Sequence, residues 1–368
     1  MAKKKTETAQ PLKVFDGHND VLLALFQPEF EPSWGGARNF FERSEHGHLD
    51  LPRAQEAGFA GGFFAIWVPP DPTARRADLR PAAKSEDHHD AQLPPALDYA
   101  SSLRYAMAVA GTLFRLEEES HGKFKVVRDV GELKSCIDKG VMAAIFHFEG
   151  AEMIDPQLNA LEVFYRAGLR SIGLAWSRPN AFCEGVPFRF PGDPDTGPGL
   201  TAAGKELVKR CNELGIMIDL SHLNEKGFWD VAEISTAPLV ASHSNVHVLS
   251  ATPRNLTDRQ LDAVRDSDGI VGVNFAVQFT RDDGKRDTST PLALLARHFE
   301  YMCERIGADH VAFGSDFDGT TISDEMGDVT GLPKLVQILR DRGFSEADLR
   351  KMGHENWLRL LGKTWKHA

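Results

Sequence analysis

Short apolar runs alternate along the chain with stretches of helical spacing. The runs cover residues 13–17, 61–68, 141–148, 169–175, 215–221, 238–242, 269–275 and 309–315, each rich in Val, Ile, Leu, Phe or Ala. Their length and flanks read as buried strands. Helical spacing marks 97–118, 156–167, 201–214, 225–234, 257–266 and 291–306, followed by 331–342 and 346–361 after the last strand. Strands alternating with helices imply parallel pairing and right-handed crossovers, and eight such units close a (β/α)8 TIM barrel. An open doubly wound sheet is the competing α/β architecture. It ordinarily carries a glycine-rich phosphate turn after its first strand, which FDGHND is not.

Three long polar segments, 28–50, 69–95 and 177–200, interrupt the alternation. Loops of this length in a compact domain are functional or disordered. The last, SRPNAFCEGVPFRFPGDPDTGPGL, leaves the fourth strand on the presumed active face and is read as a lid or specificity loop. Residues 1–12 read as a disordered tail and 13–368 as a single barrel domain with long loops at the C-terminal ends of its strands.

Composition narrows the class further. With 42% hydrophobic and 26% charged residues the 368-residue chain is ordinary globular material, and its net charge of -11 argues against a nucleic-acid surface. No apolar stretch approaches the roughly 20 residues that span a membrane. MAKKKTETAQ has a positive start but no apolar region behind it, so a cytoplasmic location is expected. Cys136, Cys183, Cys211 and Cys303 form no CxxC pair and predict neither a disulfide framework nor a thiolate metal site.

The candidate chemistry lies where the apolar runs end. His18, Asp20, Glu149, His222 and His243 each follow such a run, and HVAFGSDFDG adds Asp316 and Asp318. Imidazoles and carboxylates converging at one sheet end are the donor set of a divalent transition metal. The barrel makes the same demand, because active sites in that fold occupy the C-terminal strand ends. His147, two residues before Glu149, faces the same interior as a supporting partner or a packed histidine. His247 receives no role; His46, His88 and His89 fall in polar insertions. GLTAAGKE at 199–206 nearly matches a phosphate loop, but Glu206 stands in place of the required hydroxyl residue, and Thr201 reads as a helix N-cap.

The segments DGHND, HLDLPRA, FEG, IDLSH, ASHSN, PRNLTD and GSDFDG, in this order, resemble the membrane (renal) dipeptidase family, peptidase family M19, as a cytoplasmic member of bacterial type. The resemblance spans about residues 13 to 361. It implies a TIM barrel with two Zn2+ ions: His18 and Asp20 on one, His222 and His243 on the other, and Glu149 bridging both. A hydroxide between the metals would attack the peptide carbonyl, with Asp316 handling the proton and Arg254 of PRN holding the substrate carboxylate. The implied function is hydrolysis of small dipeptides, including those ending in a D-residue, by a homodimer. One position departs. LRSIGLAWS puts Trp176 where the renal type has a histidine against the substrate carbonyl, with Arg178 and Asn180 as alternative donors nearby. That substitution keeps open another small amide or lactam as substrate, or a metal-binding barrel without peptidase activity.

Overall fold

The computed structural model describes residues 11–70, 89–90 and 92–366. Its strands are β1 (Val14–Asn19), β2 (Phe59–Trp67), β3 (His89–Asp90), β4 (Phe124–Val126), β5 (Met142–Glu149), β6 (Leu169–Gly173), β7 (Arg189–Phe190), β8 (Met217–Asp219), β9 (Val240–Ala241), β10 (Ile270–Val273) and β11 (Val311–Phe313). Eight of them form one parallel sheet in the order β1-β2-β5-β6-β8-β9-β10-β11. The ends meet: Asn19 bridges Phe317, and the Asp316 amide donates to the His18 carbonyl at 2.9 Å. The Asp16 carboxylate accepts from the Ser315 amide and hydroxyl at 2.6 and 2.7 Å, tying the first strand to the last. This is the expected (β/α)8 barrel.

Period-two alternation explains how one strand serves both the core and the site. Along β5, Ala143 and Ile145 point into the barrel, whereas Ala144, Phe146 and Phe148 pack outward against the helices. The interior is filled by Phe15, Phe63, Ile145, Met217, Val240, Ile270 and Ala312, and it is plugged from below by Trp357 of the helix Asn356–Thr364. The Trp357 ring lies 4.8 Å from that of Phe63 and is fully buried. Trp357→Ala should therefore cost about 3–5 kcal/mol of stability, read by denaturant unfolding.

Helix starts follow local chemistry. Asp50, Asp98, Asp129, Thr201, Asn224 and Thr257 each accept a backbone N–H in the first turn of the helix they precede, and Thr257 with Gln260 completes a capping box. Thr201 caps Ala202–Leu214 as expected.

Two features differ from the sequence expectations. Residues 119–140, left unassigned, hold β4, which pairs with the lower half of β5, and the helix Val130–Lys139. The closing helix, expected over 346–361, is broken by a π-helical turn at Lys351–Glu355. There Gly353 passes so close to the Lys13 carbonyl that a Cβ would sit 2.6 Å from it, and the wider turn accommodates that approach. The tail expected over 1–12 lies outside the described residues except for its last two positions, as does most of the 69–95 insertion, His88 included. Within the described part of that insertion, β3 pairs antiparallel with β7 of the 177–200 loop.

Candidate metal centre

The strand ends bring the candidate ligands together. His18 lies in β1 and Asp20 directly follows it; Glu149 ends β5; His222, His243 and Asp316 lie just beyond β8, β9 and β11. The Glu149 carboxylate stands at the centre. One oxygen is 3.0 Å from His222 Nε2 and 3.6 Å from His243 Nε2, and the other is 3.7 Å from His18 Nε2. His18 Nε2 is also 3.4 Å from Asp20 Oδ2. Three donor groups result among the described residues, Glu149–His222–His243, His18–Asp20–Asp316 and His18–Asp219–His243, each with its ligand atoms within 4.8 Å of one another. Two of these side chains are aimed by unusual backbone: His222 and Asp316 adopt left-handed φ values of 68° and 60°. Such conformations are rare outside glycine and concentrate at functional sites.

The electrostatics suit a cation. Burial alone would lower His18, yet the surrounding carboxylates of Glu149, Asp20 and Asp316 raise it to about 10. Burial raises Glu149 well above the ordinary carboxylate range and Asp316 to about 6, each against the pull of His18. Burial, together with nearby cations, holds His222 and His243 well below the usual imidazole range, so both offer neutral nitrogens. Both ring nitrogens of His18 and Oδ1 of Asp20 are buried without a hydrogen-bond partner among the described residues. A buried polar atom left unpaired costs about 1–3 kcal/mol. Negative field, neutral imidazoles and orphaned donor atoms together fit divalent ions of the zinc type.

Partners behind these groups fix their orientation. Ser177 Oγ meets His222 Nδ1 at 2.9 Å. Asp219 Oδ2 accepts from Ser242 Oγ at 2.5 Å, and that hydroxyl meets His243 Nδ1 at 2.8 Å. Asn274 Nδ2 donates to Asp316 Oδ2 at 3.0 Å. His147 lies in the barrel interior, its Nδ1 2.9 Å from Ser171 Oγ and its Nε2 3.8 Å from Asp219 Oδ2. Sequence reasoning missed Asp219, Ser177, Ser242 and Asn274. Asp219 and Asn274 carry the signal that marked the ligands, a polar residue closing an apolar run, and could have been found. Asp318 has a structural part, accepting from the His48 amide at 2.7 Å and from Arg38 Nη2 at 3.1 Å. His46 is exposed, and His247 Nε2 meets the Gly192 carbonyl at 2.8 Å, away from the ligands.

A cavity of about 130 Å3 opens onto Asp20, Glu149, His222 and Asp316. Trp176 forms part of its wall with Trp67, Phe30 and Phe188, the last supplied by the 177–200 loop. Arg254 sits just behind, 3% exposed, its guanidinium 5.4 Å from the centroid of Phe279. Its Nη atoms meet only Ser244 Oγ at 3.4 Å and the His243 carbonyl at 3.1 Å, its Nε has no partner, and no described carboxylate forms an ion pair with it. Arg178 and Asn180 do not reach the site. Arg178 is fully buried against Glu152, and Asn180 donates to the Leu174 carbonyl, so neither replaces the missing imidazole. Gly319 closes the near edge: a Cβ there would fall 2.0 Å from Asp20 Oδ2 and 2.2 Å from Asp316 Oδ1.

Several known proteins resemble this chain over most of its length. A metallopeptidase from Rhodobacter sphaeroides, solved with a phosphinate mimic of the dipeptide L-Ala-D-Ala, is 48% identical, covers 96% of this chain and all of its own, and superposes with a TM-score of 0.88. A protein of Klebsiella pneumoniae described as uncharacterized, in the pqqA 5' region, is 50% identical over 254 residues, 69% of this chain and 94% of its own length. Dipeptidase tcpJ of Claviceps purpurea is 26% identical over 350 residues, 94% of this chain and 76% of its own. The sequence pattern of the membrane dipeptidases, peptidase family M19, matches residues 3–368. The chain therefore belongs to the membrane dipeptidase family.

Proposed function

We propose that this chain is a zinc dipeptidase holding two Zn2+ ions, with His18 and Asp20 serving one, His222 and His243 the other, and Glu149 shared between them. The spacing of the two Glu149 oxygens from the three imidazoles supports the shared role. Divalent ions bound there supply Lewis acidity toward water and toward a carbonyl oxygen. Asp316 is the proton carrier: Asn274 holds one of its oxygens, and the carboxyl takes a proton from the attacking water and returns it to the departing amine. Glu149 and Asp316 are thus the catalytic groups of this proposal. Trp176 contacts substrate as part of the wall.

The observation that carries the substrate reading is Arg254. A buried guanidinium without a carboxylate partner among the described residues is costly until an anion meets it. A free α-carboxylate supplies that anion in planar, bidentate form, which favours substrates that end one residue beyond the scissile bond, as a dipeptide does. The same site accepts a C-terminal D-residue, in line with the L-Ala-D-Ala mimic held by the Rhodobacter sphaeroides relative. No helix among the described residues is long and apolar enough to cross a membrane. The proposal places the enzyme in the cytoplasm, as four unpaired cysteines suit a reducing compartment, and takes it to be a homodimer, which light scattering tests.

Hydrolysis of L-Ala-D-Ala, L-Ala-L-Ala and their C-terminal amides by zinc-loaded protein tests the assignment. Arg254→Met should raise KM for the free dipeptides about 10- to 100-fold, the worth of a charge-assisted pair, and leave the amides within a few-fold. Equal effects on acids and amides would remove Arg254 from carboxylate binding, and no turnover by metal-loaded wild type would reject the dipeptidase reading.

A further inference from the structure

Behind the wall of the cavity lies a buried ion pair that the reaction does not use. Arg178 and Glu152 are 0% and 5% exposed, and Arg178 Nε donates to Glu152 Oε1 at 2.6 Å. A second guanidinium nitrogen, Nη2, donates to the Val68 carbonyl at 2.5 Å, next to Trp67. The guanidinium carbon stands 4.9 Å from the centroid of the Trp176 ring and 5.4 Å from that of Trp67. The two indoles meet edge to face at 5.1 Å. Arg178 thus joins the loops after β2, β5 and β6 behind the two tryptophans that face the ligand cluster.

Barrel topology says which part of a substrate meets that wall. Arg254 lies in the segment after β9, and Trp67 ends β2. In the closed order β1-β2-β5-β6-β8-β9-β10-β11, β2 and β9 are four strands apart in either direction. They stand on opposite sides of the mouth, with the ligand cluster between. A dipeptide whose carboxylate meets Arg254 and whose carbonyl lies over the cluster directs its N-terminal residue toward Trp67, Trp176 and Phe30.

We infer that the buried Arg178–Glu152 pair is a positioning device that fixes the Trp67–Trp176 wall and thereby makes the site select dipeptides with a large apolar N-terminal side chain. The inference rests on the dipeptidase reading. Arg178 touches no substrate; it acts by holding two indoles in one geometry. A desolvated guanidinium over aromatic faces is well suited to this, because its plane stacks while its fork remains tied to Glu152 and the Val68 carbonyl. Lysine retains the charge but neither the fork nor the stacking plane.

The test compares L-Phe-Gly with Gly-Gly, two substrates with the same achiral C-terminal residue, on the zinc-loaded full chain. Wild type should favour L-Phe-Gly in kcat/KM by at least about tenfold, the scale on which an apolar pocket discriminates. Arg178→Met should raise KM for L-Phe-Gly about tenfold with kcat little changed, leave Gly-Gly within twofold, and redden and expose the tryptophan fluorescence to acrylamide. Arg178→Lys should recover part of the preference. Because a lone buried charge can unfold the protein, the double variant Glu152→Met, Arg178→Leu removes both partners together; it should fold and show the same loss of preference. Equal losses on both dipeptides, or unchanged preference and unchanged quenching, would overturn the inference. Hydrolysis of neither dipeptide by wild type would count against the dipeptidase reading, and the quenching comparison would then decide the positioning role by itself.

Discussion

Glu149→Gln is expected to abolish turnover, by about 10³-fold or more, and to lower the metal content of the purified protein toward one ion or none. The amide keeps the shape of the side chain but removes its charge and replaces one oxygen with a donor nitrogen. Both Glu149 oxygens face imidazole nitrogens, at 3.0 and 3.6 Å on one side and 3.7 Å on the other, so the loss falls on the His222–His243 side and the His18 side at once. Elemental analysis after gel filtration measures the ions and steady-state kinetics the turnover. A variant that keeps two tightly held ions would reject the shared carboxylate. A variant that keeps its turnover would move the reaction elsewhere.

Gly319→Ala should reduce turnover about 10²-fold, the penalty for misplacing catalytic groups by an ångström, while thermal stability changes little. The added methyl would lie within 2.0 Å of Asp20 Oδ2 and 2.2 Å of Asp316 Oδ1. Asp316 has little room to withdraw, since Asn274 holds its other oxygen and its amide is bonded to the His18 carbonyl. Asp20 must then yield, and it carries half of the His18–Asp20 pair. Calorimetry alongside kinetics separates the outcomes: full activity with two ions bound would show that the crowding is relieved harmlessly, and a collapse in melting temperature would point to the fold instead of the site.

The barrel was legible because its strands are buried on both faces and so read as uninterrupted apolar runs. The candidate ligands were legible for the same reason, since a polar residue ending such a run is conspicuous. One strand left no such mark. In Phe124–Val126 a lysine stands between the two buried apolar residues and breaks the run, although the helix after it carries an aspartate cap and buried Leu133, Cys136 and Ile137 at helical spacing. The support behind the ligands was less visible, because Ser177 and Ser242 are ordinary residues until the fold sets their hydroxyls against His222 and His243. Arg178 shows the limit from the other direction. As a cation two residues after Trp176 it looked able to reach substrate, and only the Glu152 carboxylate and the Val68 carbonyl, distant in sequence, draw it to the back of the wall.

The left-handed residues have a consequence for engineering. His121, exposed and remote from the ligands, shares its positive φ with His222 and Asp316. A left-handed L-residue costs about 1–2 kcal/mol relative to its ordinary conformation, and glycine relieves that cost wherever it occurs. At His121 the exchange touches no chemistry, whereas at His222 or Asp316 it would relax the backbone and erase the donor it presents. A search for thermostable variants that ranked substitutions by backbone comfort alone would accept all three, and two of them would yield a sturdier barrel with no catalyst in it.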